Sequence, residues 1–283
     1  MKLKGKLVII GGAEDKGLPQ DKAEFNDNNG ILQRLVDESK NKRRSRIEII
    51  PTASTIPEEV ANDYIKAFRK LNADNVGVIN IETRDHARDP KFLKRLEAAD
   101  VVFFTGGDQL RLTSMLGGSP FLDLIKTKLQ NDQFMYAGTS AGAAAASDSM
   151  IIEGSSTNAI LKGEVKVASG FGFIENMVFD THFINRGRIG RLFQIVVSNP
   201  KLLGVGLEEN TGLLFKNNKM EAIGPGMTIL LNGRHIKNSN LLEIKEGVPI
   251  SIDNLTLHVM SKTDVYDYQE HQLSIITPEE CKA

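Results

Sequence analysis

A serine between two glycines is the first feature of this sequence that could do chemistry. The pentapeptide Gly138–Gly142 follows the short apolar run 134–137 and precedes an alanine-rich stretch. This order predicts a strand, a tight strained turn and a helix, with the hydroxyl of Ser140 lifted clear of a sheet. Free N–H groups and the dipole at the start of that helix favour the negative charge that develops in acyl transfer. The alternative is a small-residue turn that only packs a helix onto a sheet.

A serine hydroxyl needs a base, and the base needs a third group that fixes its tautomer. Of the five histidines, only His182 directly follows an apolar strand pattern, at Val178–Phe179 and beside Asp180. Glu208 and Glu209 follow the apolar run 203–207. Because neighbouring side chains of a strand point to opposite faces, we expect one carboxylate to reach the imidazole and the other to be solvated. The alternative for His182 is an ordinary hydrogen-bonded histidine.

A pair of glycines supplies a second candidate for transition-state stabilisation. Gly106 and Gly107 end the apolar run 101–105. We expect a backbone N–H at Gly107 to form an oxyanion hole with that of Ala141, and one such donor contributes about 2.7 to 4 kcal/mol to the transition state. A phosphate-binding loop is the rival interpretation, but no Gly-Lys-Ser/Thr or Gly-x-Gly-x-x-Gly pattern follows.

Strand and helix patterns alternate over the first half of the chain. Strands are predicted at 7–10, 46–50, 76–81 and 101–105, and helices at 30–39, 57–71, 90–98 and, with a break near 117–118, at 109–130. Such alternation predicts an α/β fold with a parallel sheet covered by helices on both faces and a site at the carboxyl ends of its strands. A helix is predicted over 188–198, and short strands and hairpins follow to about residue 259. The last twenty or so residues are polar and are expected to fray. We predict a single domain over 1–283, with a strand-rich extension from about 212.

Composition argues against several other classes of protein. The 283 residues are 41% hydrophobic and 25% charged, with a formal net charge of −1, which gives no general reason to expect a nucleic-acid or membrane partner. The basic run 40–46 is interpreted as a solvated helix end. Cys281 is the only cysteine, so no intrachain disulfide or cysteine-rich metal site is expected. The apolar run 7–10 is too short for a secretory signal, and we expect a cytoplasmic protein.

Five motifs together resemble the motif series of the cyanophycinase family of serine peptidases, in order and spacing, over most of the chain. They are Gly11–Lys16, Phe103–Gln109, Gly138–Ala143, Asp180–Phe183 with Arg186, Arg188 and Arg191, and Gly206–Thr211. The resemblance implies a serine hydrolase on a sheet of the class I glutamine-amidotransferase-like type, related to the bacterial aspartyl dipeptidases. It also implies degradation of the Asp-Arg polymer cyanophycin to β-Asp-Arg dipeptides, and a homodimer.

The resemblance assigns roles residue by residue. It implies Ser140 as nucleophile, His182 as general base and then acid, and Glu209 as the partner that orients the imidazole. It places three further residues around the substrate: Gln109, Asp180 and Arg191. Two positions depart from the family pattern, since Thr181 replaces a Gln and Glu208 replaces an Asp, but neither change removes a member of the triad.

A substrate with both carboxylates and guanidinium groups requires both signs of charge in its site. Arginine suits bidentate binding of a carboxylate, and three arginines follow His182 closely: Arg186, Arg188 and Arg191. The expected acceptors for a substrate arginine are Asp108, Gln109 and Asp180. The alternative is that Arg188 and Arg191, three residues apart, only decorate a solvated helix.

We therefore predict a peptidase with the Ser140, His182 and Glu209 triad, acting on aspartyl peptides and most specifically on cyanophycin. The mechanism requires no metal and no organic cofactor. One rival is an exopeptidase for short Asp-initiated or isoaspartyl peptides, and another is a non-catalytic binding protein on the same fold. An amidotransferase is disfavoured because the turn holds serine and the one thiol is at Cys281.

Overall fold

The computed structural model describes residues 3–17, 30–154 and 158–276. In its first half, strands alternate with helices: β1 (Lys6–Ile10), α1 (Ile31–Glu38), β2 (Ile47–Ile50), α2 (Pro57–Lys70), β3 (Val76–Val78), α3 (Pro90–Ala98), β4 (Val101–Phe104), α4 (Gln109–Leu116), α5 (Pro120–Lys128), β5 (Met135–Thr139) and α6 (Ala141–Ala145). These elements agree with the predicted ones to within a few residues, because each has a strong apolar period and the helices begin at clear signals such as Pro57, Pro90 and Pro120.

The second half is mostly strands. Its elements are β6 (Ser149–Glu153), β7 (Lys166–Ser169), β8 (Met177–Thr181), α7 (Ile189–Ser198), β9 (Leu203–Leu207), β10 (Gly212–Lys216), β11 (Lys219–Ile223), β12 (Thr228–Asn232), β13 (Asn238–Ser239), β14 (Ile252–Asp253), β15 (Thr256–Met260), β16 (Val265–Asp267) and β17 (Gln272–Ser274). The expected fraying of the last twenty or so residues is wrong for 265–274, which form β16 and β17. Cys281 lies outside the described residues.

The main sheet is mixed rather than parallel throughout. Its nine strands run in the order β17-β16-β11-β10-β1-β5-β4-β2-β3. The five neighbouring strands β1, β5, β4, β2 and β3 are parallel to one another, as predicted. On the other side of β1, β10 pairs antiparallel and begins the antiparallel half of the sheet. The strand-rich C-terminal part therefore continues the same sheet.

A second sheet replaces helices over part of one face, where the expectation of helices on both faces is wrong. This sheet has the order β15-β12-β9-β8, and one apolar core contains its residues Phe179 and Val205 together with Ile9 and Phe104 of the main sheet. Helices α3, α4 and α5 contribute to the same core. Helices α1 and α2 cover the opposite face of the main sheet, and α7 packs on the outer side of the second sheet. In the described ranges, no helix combines the length and apolar character needed to cross a bilayer.

Candidate active site

Three side chains from the ends of three strands form a hydrogen-bonded chain. Ser140 directly follows β5, His182 follows β8, and Glu209 lies just beyond β9. The Oγ atom of Ser140 lies 3.1 Å from Nε2 of His182, and Nδ1 of His182 lies 2.6 Å from Oε1 of Glu209. The structure therefore brings together the serine, the histidine and one of the two carboxylates that the sequence proposed.

The turn at Ser140 has the strained backbone that its sequence predicts. Ser140 has φ 50° and ψ −105°, and its N–H donates to the carbonyl of Ile10 over 3.0 Å. A Cβ at Gly138 would lie 2.5 Å from the carbonyl carbon of Gly142, and a Cβ at Gly142 would lie 2.6 Å from the carbonyl oxygen of Phe104. Only glycine fits these two close approaches. The following helix is five residues long, so the N–H groups of its first turn matter more than its dipole.

The backbone at the end of β1 positions the imidazole of His182. His182 has φ 50°, and its N–H donates to the carbonyl of Gly11 over 2.9 Å. A Cβ at Gly12, where φ is 103°, would lie 2.4 Å from Cε1 of His182. The ring thus lies directly on the backbone of Gly12. In the sequence these glycines appear only as part of the motif Gly11–Lys16, which gave no sign of this contact.

The geometry fits general-base catalysis by His182. With Glu209 accepting from Nδ1–H, the lone pair of Nε2 is left to accept the proton of Ser140. Burial alone would raise the pKa of the Glu209 carboxyl, but hydrogen bonds from His182 and Asn185 and the charge of Arg186 bring this pKa below its ordinary value. A lowered pKa favours the ionised form of Glu209, which suits this residue to stabilise a protonated His182.

Asn185 is a contributor that the sequence reasoning missed. Its Nδ2 donates to Oε2 of Glu209 over 2.6 Å, so both carboxylate oxygens of Glu209 are held. No local pattern marked this residue, because an exposed asparagine in a loop is ordinary. Only its position three residues after His182 could have raised the possibility.

Glu208 is half-buried rather than fully solvated, and backbone N–H groups bind its carboxylate. One of its oxygens accepts from the N–H of Ile184 and the other from the N–H of Glu209, each over 2.7 Å. The expectation considered side chains only and overlooked the backbone donors of the segment after His182. Glu208 therefore links this segment to the turn that carries Glu209.

The two glycines after β4 lie beside the turn that carries Ser140. A Cβ at Gly106 would lie 3.4 Å from Cβ of Ser140, and Gly107, with φ 140°, packs against the carbonyl of Ala53. Neither the N–H of Gly107 nor that of Ala141 donates to another residue within the described ranges. Both N–H groups can therefore serve a ligand, which is compatible with the expected oxyanion hole.

Asp180 and Arg191 bind each other, contrary to the expectation that each would meet the substrate directly. Asp180 is 1% exposed, and it accepts from Nε of Arg191 over 2.6 Å and also from Nη2. Arg188 adds a longer contact of 3.4 Å to Asp180 and donates to the carbonyl of Thr181 over 2.7 Å. Arg191 is itself buried, so its alternative as a solvated helix residue is wrong as well. A fixed buried ion pair thus underlies this side of the site.

Arg186, Arg188 and Arg191 lie near two acidic residues, Asp180 and Glu209. Burial, together with the charges of Arg191 and Arg186, lowers the pKa of Arg188 to about 10, although Asp180 opposes the shift. Arg186 is exposed and close enough to influence Glu209. The surroundings of His182 therefore carry both positive and negative groups.

The two polar residues that begin α4 are partly engaged within the protein. One oxygen of Asp108 caps the helix by accepting from the N–H groups of Leu110 and Arg111. Gln109 donates from Nε2 to the carbonyl of Ile151 over 3.0 Å. This leaves the side-chain carbonyl oxygen of Gln109 to accept from a ligand. In the part of the chain that the structure describes, no group of three or more His, Cys, Asp or Glu side chains is arranged to hold a metal ion.

The fold and the site define a serine-type peptidase on a mixed α/β sheet, and comparison with known proteins agrees. A family model described as peptidase family S51 matches residues 17–223. The chain belongs to this family.

Relatives extend the match over nearly the whole chain. The cyanophycinase of Trichormus variabilis is 32% identical over 262 residues, covering 92% of this chain and 85% of that protein. The cyanophycinase of Geminocystis herdmanii is 32% identical over 271 residues, covering 95% and 96%. The resemblance drawn from the five motifs is thereby confirmed.

Solved structures share the fold at lower identity. A peptidase from an acI-B1 actinobacterium superposes with a TM-score of 0.62 at 21% identity, covering 92% of this chain and 97% of its own. A putative peptidase E protein from Listeria monocytogenes EGD-e gives 0.52 at 16% identity, covering 78% and 99%.

Proposed function

We propose that this peptidase hydrolyses the aspartyl backbone of cyanophycin to β-Asp-Arg dipeptides through an acyl-enzyme. The observation that carries the proposal is the hydrogen-bonded chain from Ser140 through His182 to Glu209. The relatives named cyanophycinase support the choice of substrate.

In this mechanism Oγ of Ser140 attacks the scissile carbonyl carbon while Nε2 of His182 takes the hydroxyl proton. The N–H groups of Gly107 and Ala141 stabilise the oxygen anion of the tetrahedral intermediate. Collapse of the intermediate breaks the C–N bond, and His182 returns the proton to the leaving amine. A water molecule, deprotonated by the same nitrogen, then hydrolyses the ester and restores the serine hydroxyl.

The charges around the triad support a substrate that carries both signs. Arg186 and Arg188 offer positive charge to a substrate carboxylate, and Arg191 holds Asp180 in place beneath them. The carbonyl oxygen of Gln109 and the second oxygen of Asp108 are the acceptors proposed for a substrate guanidinium.

The test is to incubate the protein with insoluble cyanophycin and measure released β-Asp-Arg. Ser140→Ala and His182→Ala are expected to abolish release, whereas His86→Ala, at a histidine between β3 and α3, serves as a control. Ser140 of the unmodified protein should react with a fluorophosphonate. No release despite this labelling would eliminate the polymer as substrate but not the hydrolase, and no labelling would favour a non-catalytic binding protein.

Thr181 favours a second candidate, an exopeptidase for short Asp-initiated or isoaspartyl peptides. Thr181 is shorter than the family's glutamine and almost fully buried, at 5% exposed. Its side chain can therefore make fewer contacts with the substrate. Faster turnover of isoaspartyl dipeptides than of the polymer, compared per labelled serine, would select this candidate.

We also propose a single domain, a sheet of the class I glutamine-amidotransferase-like type, a homodimer and a cytoplasmic location. The parallel strands with a nucleophile turn after β5 support the fold type, and the lone cysteine fits a reducing compartment. Light scattering of the purified protein tests the dimer, and fractionation of the source cells tests the location.

A further inference from the structure

A buried carboxyl group that the mechanism does not use lies next to the nucleophile turn. Glu14, in the segment after β1, is 1% exposed. Its Oε2 accepts a hydrogen bond of 2.6 Å from Oγ1 of Thr139, the residue before Ser140, and its Oε1 accepts from the hydroxyl of Tyr64 on α2. Burying a carboxyl group is costly, and both oxygens need partners to offset that cost.

The surroundings hold Glu14 in one place. Ala13, the residue before Glu14, has φ 48°, an unusual value for a non-glycine residue. Tyr64 is buried and its ring lies 4.6 Å from that of Phe103. The N–H of Asp15 donates to the side chain of Asn210, and the N–H of Asn210 donates to the carbonyl of Gly12. Glu14 thus belongs to a segment anchored to α2 and to the turn that carries Glu209.

We propose that Glu14 is a positioning residue for the peptidase reaction: through Thr139 it holds Ser140 in the strained conformation that aims its hydroxyl at His182. A backbone with φ near 50° at a non-glycine residue costs roughly 1–3 kcal/mol and persists only where the surroundings enforce it. On one side the N–H of Ser140 binds Ile10, and on the other the side chain of Thr139 binds Glu14. Without the second contact, the end of β5 can relax and Oγ moves away from Nε2.

This inference rests on the proposed role of Ser140 as nucleophile, so the test uses a readout that needs no substrate. The rate at which a fluorophosphonate labels Ser140 is measured for Glu14→Gln and Thr139→Val, and kcat and KM for peptide hydrolysis are measured per folded protein. Because a displacement of about 1 Å can cost 100-fold in rate, we expect both variants to lower the labelling rate and kcat by about 10- to 100-fold. KM should stay within about twofold, because no substrate contact is lost.

Two comparisons separate positioning from general stability. Thr139→Ser keeps the hydroxyl and should retain most of the rate, and the double variant Glu14→Gln with Thr139→Val should be no slower than Thr139→Val alone, because the loss of the hydroxyl already removes this contact. Glu48 is a matched control: it is a 1% exposed carboxyl on β2 of the same sheet, paired with Arg46 and Arg95. Glu48→Gln should lower the melting temperature and leave the labelling rate of the folded protein unchanged.

The outcomes distinguish this inference from the proposed function. If the unmodified protein labels at Ser140 but Glu14→Gln and Thr139→Val label at the same rate, the role of Glu14 is wrong. An equal loss of rate in Glu48→Gln would also overturn it, because it would show a general effect of buried carboxyls. If the unmodified protein does not label and Ser140→Ala hydrolyses peptides normally, the nucleophile itself is misassigned.

Discussion

His182 is held by backbone atoms on one side and by a carboxylate on the other. Its ring rests on Gly12, its N–H binds the carbonyl of Gly11, and its Nδ1 faces Glu209. A catalytic side chain fixed by main chain has little freedom to choose another rotamer. Gly12 is therefore as important as Glu209 for holding the imidazole of His182 in place.

Gly12→Ala tests whether the contact with Gly12 holds the ring of His182 in place. The added Cβ would lie 2.4 Å from Cε1 of His182, so the ring has to move away from Ser140. We expect fluorophosphonate labelling of Ser140 to fall by about 100-fold, as for other misplaced groups. Gly118→Ala is the control, because Gly118 also has a positive φ, of 65°, but a Cβ there meets nothing within 4 Å. Equal labelling of both variants would contradict the role of Gly12.

The lowered pKa of Glu209 predicts how stability depends on pH. In the native state the pKa of Glu209 lies below its ordinary value of 4.5. As the pH falls, the unfolded state therefore binds more protons than the native state. The contribution of Glu209 is thus present above about pH 4.5 and is lost as the pH falls through the lowered pKa. We expect the difference in unfolding free energy between the unmodified protein and Glu209→Gln to shrink between pH 6 and pH 3. Urea unfolding at several pH values measures this, and a constant difference would contradict it.

At the scale of elements, the site is made by three short segments that extend strands of two different sheets. The segment after β8 and the turn after β9 are held together by Glu208, whose carboxylate accepts from Ile184 and Glu209. Both segments reach the main sheet at the end of β1, where Gly11 approaches the backbone of Glu208. The alignment of the histidine with its carboxylate therefore depends on this link between segments.

Glu208→Ala removes an acceptor for two backbone N–H groups and should loosen residues 183–187. We expect faster amide hydrogen exchange there and a kcat lower by about tenfold, since leaving such donors unpaired costs about 1–3 kcal/mol. Glu208→Asp retains a carboxylate and should restore part of the rate. If exchange in this segment is unchanged in Glu208→Ala, the proposed link is wrong.

Local signals account for what the sequence predicted. Apolar periods and proline starts placed the helices and strands of the first half, and the glycines around Ser140 predicted its turn. The second sheet, the pairing of Asp180 with Arg191 and the contact of Gly12 with His182 were not predicted. Each depends on residues far apart in the chain whose types are compatible with several partners.

At the scale of the whole molecule, the two sheets share one apolar core. Residues of β1, β4, β8 and β9 pack in it together, and β10 joins the antiparallel half of the main sheet to β1. Neither sheet can bury the apolar face that lines this core without the other sheet. This arrangement supports the proposed single domain.

We expect one cooperative unfolding transition. The chain has no tryptophan and four tyrosines, so tyrosine fluorescence can be compared with far-ultraviolet circular dichroism during urea unfolding. The two signals should give the same midpoint, as in two-state unfolding. Two separated transitions would indicate that the strand-rich C-terminal part is an independent unit.

The place of β1 has a consequence for biosynthesis. β1 precedes both of its neighbours in the chain, and one of them, β10, begins only at Gly212, so the whole stretch from β1 to β10 must be synthesised before that edge is covered. Pairings across such a distance form slowly, because the intervening loop must close first. One edge of this apolar strand thus stays accessible to chaperones until β10 has been synthesised. The proposed triad likewise cannot assemble before Glu209 has been synthesised.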